Sequence, residues 1–119
     1  MLNLDTHILI YAFSGDLTAR EEKLLSSHQW SISAIVLWEL AMLAKLGRIE
    51  LDLDMEELRR FLAPVQVWPL TYDVCLRMRK LDFKSDPADE LICATSMVHD
   101  VPLVTRDGKI RRSSVVPLA

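Results

Sequence analysis

Apolar residues along this chain fall into two kinds of run. Some are short: "MLNL" (1–4), "WSIS" (30–33), "VQVWPL" (65–70), "VPLVT" (101–105) and the weaker "SVVPL" (114–118). Their length predicts strands. Longer segments between them read as helices: "THILIYAF" (6–13), "AREEKLLSS" (19–27), "AIVLWELAMLA" (34–44), "DMEELRRFLA" (54–63), "TYDVCLRMRKL" (71–81) and a segment from Asp86 to about His99. Thr18 stands at a cap of the second helix, with acids in its first turn. Gly47 is a stop for the third. Asp54 is placed to cap the fourth, and Pro64 to end it. Asp86 followed by Pro87 opens the last long helix, because proline fits the first helical position and aspartate accepts from free backbone N–H groups. Strands alternating with helices predict an α/β sandwich around a mainly parallel sheet of four to five short strands.

Composition narrows the class. The 119 residues fit one domain, residues 1–119, and half of them are hydrophobic, enough for a substantial core. A net charge of -3 gives no global sign of nucleic-acid binding, although local basic clusters are compatible with it. Cys75 and Cys93 form no CxxC and lie in apolar helical patterns, so both are expected as buried free thiols. No apolar run reaches membrane-spanning length and no signal peptide precedes the first strand, which makes a soluble cytoplasmic protein the expectation.

Glu39 breaks the apolar pattern. It is the one polar residue in "AIVLWELAMLA", a helix expected to be buried on nearly every face. A buried carboxylate takes up a proton, pairs with a cation or ligates a metal. No Lys or Arg lies within a turn N-terminal to it, and Lys45 is too far along for an i, i+4 pair. Other acids join it through topology. In open α/β sheets the binding crevice lies outside the carboxyl ends of the strands. Asp5 follows the first strand and Asp107 the fourth, while Glu39, Asp86 and Asp89 lie in early helical turns that reach the same edge. Singly, Asp5 reads as a helix cap, Asp86 with Asp89 as a capping box, and Asp107 before Gly108 as a turn. Capping does not explain why five acids select one rim. Clustered carboxylates cannot all stay ionised without a cation, and oxygen donors with no Cys or His cluster point to Mg²⁺ or Mn²⁺. His7, His28 and His99 are scattered and read as structural or surface residues. A metal site of this kind activates water for displacement at phosphorus.

Taken in order, "LNLDTHILIYAF", "ISAIVLWELAMLAKLGRIEL", "DPADELICATSMVHDVPLVTRD" and the final short strand resemble the PIN domains, and among them the small VapC-type toxins of prokaryotic toxin–antitoxin pairs. The resemblance spans essentially the whole chain and implies a three-layer α/β/α sandwich. It implies that Asp5, Glu39, Asp89 and Asp107 are the metal-binding catalytic acids. Thr105 would hydrogen-bond the cluster, with Thr6 assisting, and Asp86 is an added acid that would also face the metal. The implied reaction is metal-dependent endoribonucleolysis of tRNA or rRNA, in which a metal-activated water leaves a 5′-phosphate and a 3′-hydroxyl. Lys109, Arg111 and Arg112 are the candidates for the RNA backbone, followed by Lys45 and Arg48. Related toxins often carry an aromatic residue and an Arg in the segment where Ala88 and Glu90 stand here, a departure that bears on substrate contacts. Trp30, Trp38 and Trp68 have apolar neighbours and are expected in the core. The implied partners are the RNA, a second copy of the chain and a VapB-like antitoxin, with no membrane. The antitoxin's C-terminal segment would lie in an apolar groove, for which the faces of "THILIYAF" and "EEKLLSS" are candidates.

Two other classes share some of these features. A receiver-type signalling domain also has acids at strand ends and a late Thr and Lys, but needs an acidic pair after the first strand, where "DTH" stands, and a phosphorylatable Asp after a central strand. A PIN fold retained for RNA or protein binding alone is the remaining alternative.

Overall fold

The computed structural model describes all residues, Met1–Ala119. It opens with a strand, β1 (Leu2–Leu4), followed by α1 (Thr6–Ser14), α2 (Ala19–Ser26), β2 (Trp30–Ser33) and α3 (Ala34–Lys45). The second half holds α4 (Glu56–Leu62), β3 (Gln66–Trp68), α5 (Tyr72–Arg77), a 3₁₀ turn (Met78–Lys80), α6 (Pro87–His99), β4 (Leu103–Val104) and α7 (Gly108–Arg111). The sheet is parallel throughout, in the order β3-β2-β1-β4. Leu2 pairs with Trp30 and Asn3 with Ser31 on one side of β1, and Leu4 pairs with Val104 on the other.

Alternation along the strands separates two faces. Leu2, Leu4, Trp30 and Ile32 point to an apolar face covered by α1, α2 and α4. There Phe61 meets Phe13 and Trp30 edge-on, with centroids 5.2 and 5.7 Å apart, and Trp30 Nε1 donates to the Leu25 carbonyl at 2.8 Å. Asn3 and Ser31 point the other way, toward α6, which α3 and α5 flank. This second face is buried yet polar. Asn3 is fully buried, and its Nδ2 donates to Ser96 Oγ at 2.9 Å and to the Ile92 carbonyl at 3.4 Å. The side chains Leu4, Ile8, Leu9, Ile32, Leu40 and Ile92 are sealed from solvent and form the centre of the core. No helix is long and apolar enough to cross a membrane.

Several sequence expectations change. The C-terminal "SVVPL" adds a single parallel bridge, Leu103 to Leu118, because Pro117 has no N–H with which to extend a ladder. Asp54 does not cap α4. Met55 holds that position without a side-chain bond, while the Asp54 N–H is engaged by Asp52 Oδ1 at 2.9 Å. Helix α5 buries only Val74, so Cys75 is exposed, and the chain tightens into the 3₁₀ turn after Arg77. The apolar α3 is not enclosed. It packs along one side through Val36 and Leu40 and leaves Leu37 and Trp38, the latter 54% exposed, facing solvent. Helix α7 was not anticipated, its four residues being too few for a periodic signal.

Asn3→Ala is expected to cost about 2–3 kcal/mol in urea unfolding, through a lost hydrogen bond and a small void. Asn3→Ala combined with Ser96→Ala should cost less than the sum of the two single changes, because they remove one shared contact.

Candidate active site

Strands β1 and β4 are neighbours, so the residues that follow them emerge side by side at the carboxyl edge of the sheet. Asp5 N–H donates to the Val104 carbonyl at 3.1 Å, which fixes its backbone across that junction. Its carboxylate is 7% exposed and fully engaged: Oδ1 accepts from the Thr6 N–H at 2.8 Å, Oδ2 from the Thr105 hydroxyl at 2.6 Å. Asp5 is thus both the cap of α1 and a member of the rim. Thr6, one residue on, sends its hydroxyl to Glu39 Oε1. Glu39 is half-buried in the second turn of α3, on the wall of the site rather than in the core.

Asp89 enters from the first turn of α6, where the Ser85 hydroxyl donates to its Oδ2 at 3.0 Å. The expected capping box between Asp86 and Asp89 is absent. Asp86 occupies the cap position, but its exposed side chain bonds no backbone N–H; Ser85 N–H is instead satisfied by Glu90 Oε2 at 3.0 Å. The Asp107 N–H donates to Thr105 Oγ1 at 3.1 Å, and its Oδ1 accepts from the Lys109 and Ile110 N–H groups at 2.8 and 3.4 Å, capping α7.

The acids sense one another. Burial, reinforced by the charges of Asp5, Glu39 and Asp86, raises the Asp89 pKa to about 6 against the opposing Ser85 hydrogen bond. Below these groups, burial and then the charges of Asp5, Asp89 and Asp107 push the Cys93 thiol far above its ordinary range, so it remains neutral. Every donor at the rim is a hard oxygen, which suits Mg²⁺ or Mn²⁺ in kind. As placed, no three of these side chains converge on one ligating point. Asp5, Glu39 and Asp89 are each held instead by a neighbouring hydroxyl.

The basic candidates scatter. Lys109 Nζ turns to the Lys84 carbonyl at 2.9 Å, and Arg112 lies exposed over Gly108. Arg111 Nη1 donates to the Thr105 carbonyl at 3.2 Å, next to the acids. Lys45 ends α3 and Arg48 follows it, both exposed. Two partnerships carry no signal in the sequence pattern. Ser85 lies in a segment read only as loop, and its carboxylate partner comes from the next helix. Arg106 binds Glu21 Oε2 and Oε1 at 2.8 and 2.6 Å and lies 4.1 Å above the Tyr11 ring; its hydrogen bonds, helped by those of Thr18 and by its charge, hold the Glu21 pKa down to about 2 against partial burial. That pair joins residues far apart in the chain, and no local pattern announces it.

The family model of the PIN domain matches residues 3–115. The chain belongs to the PIN domain family. A relative, Ribonuclease VapC22 of Mycobacterium tuberculosis, is 29% identical over 116 residues, covering 91% of this chain and 88% of the relative. Among solved structures, VapBC2 of Rickettsia felis bound to a promoter DNA fragment aligns with a TM-score of 0.76 at 21% identity, covering 100% of this chain and 98% of that one. A toxin–antitoxin complex from Klebsiella pneumoniae aligns with a TM-score of 0.71 at 26% identity, covering 94% and 91%. FitAcB of Neisseria gonorrhoeae gives 0.71 at 23% identity, covering 100% and 97%. The PIN fold with its parallel four-stranded sheet is therefore shared along nearly the full chain.

The raised Asp89 pKa fixes a sign for this PIN domain. A carboxyl whose folded pKa lies above its unfolded value favours the fold at low pH, and that contribution is lost as pH rises through about 6. Asp89→Asn, in EDTA, is expected to raise the melting temperature by a few degrees at pH 8 and to leave it unchanged near pH 4. Thermal unfolding at the two pH values checks this.

Proposed function

We propose that this PIN domain is a divalent-metal-dependent endoribonuclease and the toxin of a toxin–antitoxin pair, with tRNA or rRNA as substrate. The observation that carries the reading is the gathering of Asp5, Glu39, Asp86 and Asp89 at one rim, where burial, and then the charges of Asp5, Glu39 and Asp86, raise the pKa of Asp89. A protein without use for a cation gains nothing from that arrangement, which opposes folding at neutral pH. The likeness to Ribonuclease VapC22 supports the same activity.

When bound, Mg²⁺ or Mn²⁺ supplies an activated water and neutralises charge on the scissile phosphate. Asp5, Glu39 and Asp89 would hold it, with Asp86 and Asp107 as further acids on either flank. The hydroxyls of Thr105, Thr6 and Ser85 restrict the rotamers of their carboxylates, and metal binding would draw Asp5, Glu39 and Asp89 together from these positions. Arg111, next to Thr105, would face the negative backbone beside the rim, and Lys109 in α7 and Arg112 at its C-cap add positive charge. No residue need form a covalent bond to the substrate.

An antitoxin as partner is supported by the structural relatives, which include a toxin–antitoxin complex. A groove lined by Ala12, Leu17, Leu25 and Trp30, between α1 and α2, is apolar enough to take an antitoxin segment. A second copy of the chain would cover the exposed apolar side chains of α3 and α5, Leu37, Trp38, Tyr72 and Leu76. One observation favours the binding-only alternative: no three carboxylates stand at a shared ligating point.

Cleavage of total tRNA and rRNA with Mg²⁺ or Mn²⁺ is expected to give discrete fragments with 5′-phosphate and 3′-hydroxyl ends. EDTA should abolish them, and Asp5→Asn should lower the rate at least about 100-fold. Failure of the folded wild type to cleave with either metal would leave the binding-only reading. Independently, a saturating divalent metal is expected to raise the wild-type melting temperature, since about 2.7 kcal/mol accrues at a hundred times the dissociation constant. Absence of any shift at millimolar metal would count against the metal site.

A further inference from the structure

A groove of about 660 Å³ runs between α2 and the segment from β4 to α7, lined by Arg20, Lys23, Arg106 and Arg111 together with Thr18 and Ser27. Four cations meet there in a chain whose net charge is -3. Glu21, an acidic side chain of the lining, is already bound by Arg106 at 2.6 Å, so Arg20, Lys23 and Arg111 remain free of ion pairs. Arg20 and Lys23, at i and i+3 of α2, and Ser27, its C-cap at i+7, line one side of that helix. The groove is joined to the acidic rim through Thr105, which lines it, donates to Asp5, and accepts from Arg111 through its carbonyl.

We infer that this groove carries the sugar–phosphate backbone of the RNA as it leaves the acidic rim, with Arg20 and Lys23 contacting phosphates and Arg111 standing between them and the acids. The inference rests on the endoribonuclease reading and assigns the path of its substrate. Cations and hydroxyls suit phosphate and ribose, whereas a protein segment needs apolar anchors, which are larger in the α1–α2 groove, with Leu17, Leu25 and Trp30, although Lys23 borders both. The assignment moves the main backbone contacts from the α7 residues to α2, where the sequence pattern showed only an amphipathic helix.

Counterion release gives the test. Each phosphate contact to a single strand contributes about 0.7 to the slope of log affinity against log salt. Binding of labelled, random-sequence single-stranded RNA is measured in EDTA, which prevents cleavage, across a salt series. Three proteins are compared: wild type, Arg20→Ala with Lys23→Ala, and, as a control of equal charge change, Arg59→Ala with Arg60→Ala on α4. All four side chains are exposed, so the variants should fold, and circular dichroism verifies it. The slope is expected to fall by about 1.4 in the α2 variant and to stay at the wild-type value in the control. An unchanged slope, or an equal fall in the control, overturns the groove assignment; if the wild type still cleaves RNA with metal, the nuclease reading stands. No binding and no cleavage by the wild type would overturn both. Binding of polyglutamate but not RNA, lost in the α2 variant, would replace the nucleic acid with an acidic protein and overturn the inference.

Discussion

Burial of Asp89 among the charges of Asp5, Glu39 and Asp86 is the constraint around which the carboxyl edge of the sheet is organised. A parallel sheet places the ends of β1 and β4 side by side, and two helices bring further acids to the same place. The chain answers with hydroxyls. Thr105 serves Asp5, Thr6 serves Glu39, and Ser85 serves Asp89, each donating to one carboxylate. Hydrogen bonds to the charged form favour ionisation, yet at Asp89 they do not offset burial and the neighbouring charges.

The geometry of that rim is set one layer below it. Between the sheet and α6 lies a buried polar stratum of Asn3, Ser31 and Ser96, in which Asn3 ties β1 to a side chain and a carbonyl of α6. Directional bonds of this kind oppose sliding of the helix along the sheet more than interchangeable aliphatic contacts do. Asp5 lies two residues beyond Asn3, and Asp89 one turn before Ile92, so a shift of α6 along its axis would change their separation.

What the sequence made legible was topological. Asp5 and Asp107 were found because they follow strands, and Glu39 because it interrupts an apolar run. Local helix grammar is less dependable: Thr18 caps α2 as expected, while the side chains of Asp54 and Asp86 satisfy no backbone N–H of the helices they precede. In those two cases a neighbour, Asp52 or Glu90, engages the loop backbone. The reading of α3 illustrates a deeper limit. An all-apolar helix was expected to be enclosed, but composition cannot distinguish a helix inside one chain from one whose outer side faces solvent, as Leu37 and Trp38 do. Long-range pairs such as Arg106 with Glu21 were invisible because neither residue carries a local signal of the other.

Thr105 holds a single hydroxyl proton, and the structure directs it to Asp5 while the same oxygen receives the Asp107 N–H. That proton is unavailable to Asp107, whose carboxylate is served by the backbone of α7 instead. The two acids beside Thr105 are therefore held by different means: Asp5 shares its carboxylate between the Thr6 N–H and a side chain that mutation can change, whereas Asp107 rests on main-chain groups that any residue but proline would provide.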